Sequence, residues 1–189
     1  MLTKQQKLYL VMVVGALAGF IASFWQLLDK LELLKNSQAV LSCNLNSVFS
    51  CSNILNAHVS SIFGFPNSLM CLILFTITIT AGIIGLTGSS VARGLRFVLQ
   101  FLAFFMMSFG LWYLYESIFR VDALCIFCIF CFGGVLLINF AWLRLNYRDY
   151  TPNKDYSAKL GQAIAHGVDI FFWLLVGLFV VAEALIKFK

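Results

Sequence analysis

The chain has 189 residues, of which 61% are hydrophobic, 16% aromatic and only 11% charged, and its mean hydropathy is +0.93. A soluble domain carries roughly 25% charged residues, so this composition excludes a solvated globular surface, intrinsic disorder and a fibrous repeat. The net charge of +5 raises the idea of a nucleic-acid binder, but the basic residues stand singly between apolar runs and form no stripe.

A helix crossing about 30 Å of hydrocarbon needs roughly 20 apolar residues, so the stretches between charges act as rulers. Five qualify. Leu8 to Leu28 carries no charge, and Ser68 to Leu86 follows the Phe65-Pro66 breaker. Phe97 to Tyr115 gives a third span, taken on to about residue 118. Ala123 to Leu143 gives the fourth. The fifth, about Ala163 to Lys187, contains Asp169 and Glu183, which lie roughly 21 Å apart along a helix at about 1.5 Å per residue, so each is expected near one interface. Pro66 suits a first helical turn, where its missing N–H costs nothing, and Trp25, Trp112, Tyr113, Tyr115 and Trp142 fall where interfacial aromatic anchors belong. The reading is an all-α integral membrane protein, one domain over residues 1–189, with an outer loop 29–65 and an inner stretch 144–162.

Cytoplasmic loops carry the excess of positive charge. With the N-terminus inside, Lys4, Lys7, Arg93, Arg96, Arg144, Arg148, Lys154 and Lys159 fall on the inner side, against Lys30, Lys35, Arg120, Lys187 and Lys189 outside. This predicts N-in and C-out. The first span has 21 uncharged residues, more than the apolar core of about 7–15 in a signal peptide, and no A-x-A site follows it; it is expected to be an uncleaved anchor.

This topology, derived without the cysteines, places Cys43, Cys51, Cys71, Cys125, Cys128 and Cys131 all in the outer half. Disulfides persist outside, in a bacterial periplasm or an endoplasmic-reticulum lumen. The sharpest motif is Cys125-Ile-Phe-Cys128 at the start of the fourth span. Three residues at about 100° each set the two sulfurs on one helix face a turn apart. With Asp122 as the N-cap, Cys125 falls in the first turn, where the helix dipole and free N–H groups favour a thiolate. Cys128, one turn deeper, faces the boundary between water and hydrocarbon. The same motif also suits a zinc cluster. Cys43-x7-Cys51 lies in a polar outer loop and reads either as a static disulfide or as loop thiols that relay to the helix pair. Cys71 and Cys131 read as small apolar packing residues. His58 and His166 read as ordinary loop residues, Glu116 as a helix-end charge, and Asp169 as an interfacial one.

Taken together, Cys43-x7-Cys51 with Ser50-Cys51-Ser52-Asn53, Gly64-Phe65-Pro66-Asn67-Ser68 entering the second span, and Leu114-Tyr115-Glu116-Ser117 leading into Cys125-Ile126-Phe127-Cys128 resemble the vitamin K epoxide reductase family, including its bacterial disulfide-forming homologues. The resemblance implies a four-helix transmembrane bundle around a quinone pocket, with a fifth transmembrane helix as in bacterial members. It implies catalytic roles for all four motif cysteines. Cys43 meets the outside partner and resolves Cys51, Cys51 exchanges with Cys125, and Cys128 faces the quinone. It implies that Asn67 donates a hydrogen bond to a quinone carbonyl and that Leu55, with Ile54, lids the pocket. The implied activity is a thiol:quinone oxidoreductase passing electrons from a thioredoxin-fold dithiol protein, acting in trans, to ubiquinone or menaquinone, in a bacterial inner membrane with the site facing the periplasm.

Departures from the family pattern bear on the chemistry. Phe132 stands where vertebrate epoxide reductases carry a tyrosine, so it offers no hydroxyl, and this counts against epoxide reduction. Asn44 replaces an acidic residue and Ala57 a serine. Many bacterial relatives continue into a thioredoxin-like domain, whereas this chain ends at Lys189. The alternatives at this point are reduction of vitamin K or its epoxide in an endoplasmic-reticulum membrane, and a membrane scaffold whose outer cysteines form static disulfides or hold zinc.

Overall fold

The computed structural model describes residues 2–41, 43–44, 48–147 and 154–188. These form α1 (Lys4–Lys35), α2 (Cys51–Asn56), a 3₁₀ turn (His58–Ser61), α3 (Ser68–Leu86), α4 (Arg93–Phe119), α5 (Ile126–Asn146), α6 (Lys154–Ala165) and α7 (Val168–Lys187). Five of these, α1, α3, α4, α5 and α7, are long and apolar enough to cross a membrane. The chain is an integral membrane protein of helical architecture.

α1 opens on a capping box in which Thr3 and Gln6 exchange side-chain and backbone hydrogen bonds, satisfying two of the free donors of a helix start. It runs well past Leu28, so the first part of the expected outer loop is helix. The added turns carry Asp29, Lys30 and Glu32, and Lys30 is buried with partners of its own, which is how a charged turn is tolerated there. Gln6 Nε2 donates to the Leu86 carbonyl at 3.0 Å, tying the start of α1 to the end of antiparallel α3.

α1 lies between α3 and α5, and small residues set how close they come. A Cβ on Gly19 would fall 2.2 Å from the Phe75 ring of α3, and one on Gly134 of α5 would fall 2.6 Å from the Gly15 carbonyl of α1. This is the small-residue helix contact expected inside a membrane, where close backbone approach and dispersion replace the hydrophobic effect. α4 packs on α5, where Asn139 Nδ2 donates to the Ala103 carbonyl at 2.9 Å. The outward faces of α1, α3, α4 and α5 carry exposed Leu17, Ile21, Ile73, Phe101, Phe104 and Phe130, as a lipid-facing surface requires.

α7 leans on α4 and α5 and is exposed along most of its length. The expected fifth span from Ala163 is corrected: Gly167 takes the left-handed conformation (φ 76°), open to glycine without a Cβ penalty, and breaks the chain there, so residues 163–165 end α6 and α7 starts at Val168. Asp169 is buried rather than left at an open interface. Arg144 of α5 grips it through Nε at 2.6 Å and Nη2 at 3.0 Å. At the far end of α7, Lys187 pairs with Asp122 at 2.7 Å, putting the C-terminal end of α7 on the same side as the segment that leads into α5.

Candidate active site

The outer segment reaches the start of α5 through a short parallel bridge between Phe49 and Leu124. Leu124 N–H donates to the Val48 carbonyl at 2.7 Å, and Ser50 N–H donates to the Leu124 carbonyl at 3.1 Å. Just beyond the bridge stand Cys51, two residues after Phe49, and Cys125, next to Leu124. Their sulfurs lie 3.4 Å apart, and both residues are fully buried. Cys43 and Cys51 are joined in a disulfide, with Cα atoms 5.8 Å apart, while Cys125 and Cys128 are free thiols hydrogen-bonded to each other. Asp29 Oδ2 lies 3.3 Å from Cys43 Sγ.

Asp122 does not cap α5. It sits in a left-handed turn (φ 55°), a conformation that Asp tolerates better than most residues. Ser117 fixes that turn by donating through Oγ to the Ala123 carbonyl at 2.7 Å. Residues 123–125 are therefore extended, and Cys125 itself is the N-cap residue. The correction moves Cys125 from the first turn to just ahead of it, where it still meets the helix's free donors. Hydrogen bonds from the Cys128 side chain and from the Cys128 and Phe127 backbone N–H groups hold the Cys125 thiol below its ordinary value, against the opposing pull of burial.

Beneath the cysteines a cavity of about 60 Å³ opens among α1, α3, α4 and α5, lined by Gln26, Asn67, Cys71, Tyr113, Cys128, Cys131 and Phe132 along with apolar side chains. Cys128 Sγ faces it and accepts from Gln26 Nε2 at 3.2 Å. Asn67 makes no bond to its own helix start. Its Nδ2 donates to the Val59 carbonyl at 2.7 Å, which leaves its second N–H for a ligand, and its buried Oδ1 has no partner. Phe132 packs close to Gly110, where a Cβ would stand 2.9 Å from the ring.

Leu55 is placed elsewhere than expected. Its side chain is buried in the core and is not on the cavity wall. Its carbonyl is what the fold uses: it accepts from Lys30 Nζ and from Ser60 Oγ, which anchors α2 and the 3₁₀ turn to α1. Besides Gln26, three cavity residues escaped the sequence reading. Tyr113 places a buried hydroxyl there with no conventional hydrogen-bond partner, beside Cys128, so the hydroxyl that Phe132 lacks is present from α4. Cys131 is hydrogen-bonded to Ser23 at 3.1 Å, with Cys71 beside both. Nothing in a periodicity distinguishes such residues from packing residues, because all three lie on faces that are apolar throughout.

Residues 10–143 match the family model described as the vitamin K epoxide reductase family, so the chain belongs to that family. The match runs from α1 through most of α5 and leaves α6 and α7 outside it. No curated protein matched the chain. The family is one of oxidoreductases whose members use quinones as redox partners; the chain is thus a membrane oxidoreductase of a quinone-using family. The orphaned Asn67 amide oxygen and Tyr113 hydroxyl, beside a thiol in a mostly apolar cavity, fit a ring that carries carbonyl or hydroxyl oxygens.

Proposed function

We propose that the protein is a thiol:quinone oxidoreductase that draws electrons from a thioredoxin-fold dithiol protein at its outer face and supports disulfide formation in secreted proteins. The observation that carries this reading is the 3.4 Å approach of Cys51 Sγ to Cys125 Sγ, because disulfide exchange needs one sulfur to attack another directly.

The dithiol partner reduces Cys43–Cys51. Cys51 thiolate then attacks Cys125 in the Cys125–Cys128 disulfide, forming a Cys51–Cys125 mixed disulfide and releasing Cys128 as a thiolate into the cavity. Cys43 thiolate attacks Cys51, restoring Cys43–Cys51 and freeing Cys125. The Cys125 and Cys128 thiols then give up two electrons and two protons as their disulfide re-forms, and a bound quinone would supply the oxidant. Asn67 and Tyr113 hold and orient it, with Tyr113 Oη as a proton donor at the ring oxygen, while Phe132 and the apolar walls keep water out. The ring is that of ubiquinone or menaquinone, with four helices, α1, α3, α4 and α5, as the enclosing bundle and α7 as the fifth. The site faces the periplasm from a bacterial inner membrane, and the whole chain acts as one domain.

Tyr113 supports a second reading, reduction of a vitamin K-type quinone or its epoxide by luminal thiols, since its hydroxyl meets a bound oxygen in place of the missing tyrosine at 132. The test is turnover. Purified protein is mixed with a reduced thioredoxin-fold dithiol and a soluble quinone, and quinone absorbance is followed. Wild type should turn over and Cys128→Ala should not. Epoxide reduction by small thiols, with no turnover on any protein dithiol, would select the second reading.

A further inference from the structure

The six cysteines exceed the two pairs the relay uses, and the remaining two are not scattered. Cys71 enters the cavity from α3, four residues after Asn67, and Cys131 enters from α5, three residues after Cys128. Ser23 of α1 meets Cys131, and Cys71 lies beside both on the cavity wall. The Ser23 contact to Cys131 Sγ is 3.1 Å, and Ser23 Oγ also donates to the Gly19 carbonyl at 2.8 Å. Three helices thus hold two thiols together on the wall of the cavity that Cys128 faces.

Cys128 and Cys131 lie one turn apart on α5, offset by about 60° around the helix, and Cys125 stands just ahead of the first turn. Cys128 is the middle member, a turn from each neighbour. A sulfur released at Cys128 therefore has Cys131 one turn deeper on the helix as well as Cys125 on its outer side.

The geometry points to Cys71 and Cys131 as a third redox pair, in thiol–disulfide exchange with Cys125–Cys128 inside the membrane. Cys131 thiolate attacks Cys128 of the Cys125–Cys128 disulfide, forming a Cys128–Cys131 bond and releasing Cys125 as a thiolate. Cys71 thiolate then attacks Cys131, forming Cys71–Cys131 and releasing Cys128. One disulfide is broken and one is made, and the two protons from Cys71 and Cys131 pass to Cys125 and Cys128. No outside oxidant is consumed in the exchange. The pair lets one chain hold a further two-electron equivalent next to the quinone. This rests on the relay reading for the route by which oxidising equivalents reach Cys125–Cys128.

The test is a redox titration of the full chain in detergent, equilibrated across glutathione buffers. Samples are acid-quenched, unfolded, alkylated, and mapped cysteine by cysteine by mass spectrometry. At the oxidising end the pair predicts protection of all six cysteines and a linked peptide containing Cys71 and Cys131. Cys71→Ser should leave Cys131 open to alkylation while Cys43–Cys51 and Cys125–Cys128 still titrate. Cys71 and Cys131 remaining fully alkylated where Cys125 and Cys128 are protected would overturn the third pair and leave the relay intact. Failure of the relay itself would show differently, as absent turnover with a protein dithiol.

Discussion

Cys51 and Cys125 stand 74 residues apart in the chain, yet their sulfurs are 3.4 Å apart, Cys125 directly after the Phe49–Leu124 bridge and Cys51 two residues after it. The bridge is what makes the approach reproducible. Two backbone hydrogen bonds fix the register of the outer strand against the segment entering α5, and in a bridged pair the next residues along are carried close together.

This relationship predicts a trappable intermediate. In a Cys43→Ser, Cys128→Ser double variant neither resolving thiol remains, so Cys51 and Cys125 are left facing one another. Mild oxidation should join them in high yield, seen as one cross-linked peptide under non-reducing mass mapping. The single variant Cys128→Ser should give far less, because Cys43 competes for Cys51. Absence of the cross-link in the double variant would remove the basis for direct exchange.

A second expectation concerns pH. The Cys125 thiol is held below its ordinary value by donors from Cys128 and Phe127, and only the thiolate reacts with an alkylating agent. In the reduced protein, iodoacetamide labelling of Cys125 should reach half its maximal rate at a lower pH than that of a free cysteine. Raising the pH through the ordinary thiol range should then add little. Replacing Cys128 by Ala removes the largest of these donors and should move the profile upward. Unchanged profiles in the two proteins would assign the lowered value to the backbone donors alone.

The spans and the cysteine motifs were legible in the sequence because both are written in local spacing: charge-free runs of bilayer length, and C-x-x-C at a helix start. The start of α5 was misjudged because Asp122 carries a good capping side chain, while the decision belongs to tertiary contacts, namely Ser117 on the Ala123 carbonyl and the Leu124 bridge. The extra outer turns of α1 were missed since Lys30 looks like an end to a span until its partners, Ser60 and the Leu55 carbonyl, come from elsewhere in the chain. Tyr113 was read as an interfacial anchor. Its buried hydroxyl depends on which face of α4 meets α5, and a helix apolar on every side does not announce that face.

Tyr113→Phe separates binding from folding. The hydroxyl is buried and conventionally unpaired, so its removal should leave thermal stability in detergent unchanged or slightly raised, since an unsatisfied buried polar group is a cost. Losing a hydrogen bond to a bound ring oxygen at about 1.4 kcal/mol corresponds to a roughly tenfold rise in KM for quinone. A fall in stability with KM unaltered would make Tyr113 a packing residue instead.

Lys30 offers a test of how the outer cap is held. Its ammonium donates to the Leu55 carbonyl and to Ser60 Oγ, the latter at 3.0 Å, and Ser60 Oγ donates to the same carbonyl at 2.7 Å. α2 begins at Cys51, so this cluster clamps the short helix that carries the reactive loop sulfur. Lys30→Met keeps the apolar stem but leaves a buried carbonyl with fewer donors, a loss of about 1–3 kcal/mol that should appear as a lower unfolding midpoint. The loop is also expected to wander from the α5 end, so transfer from Cys43–Cys51 to Cys125–Cys128 should slow in rapid-quench experiments while direct reduction of the loop disulfide by small thiols is preserved. Lys30→Arg, which retains a charged donor, should recover part of both. Should Lys30→Met lose stability yet transfer at the wild-type rate, the bridge at Phe49 and Leu124 positions Cys51 without the clamp.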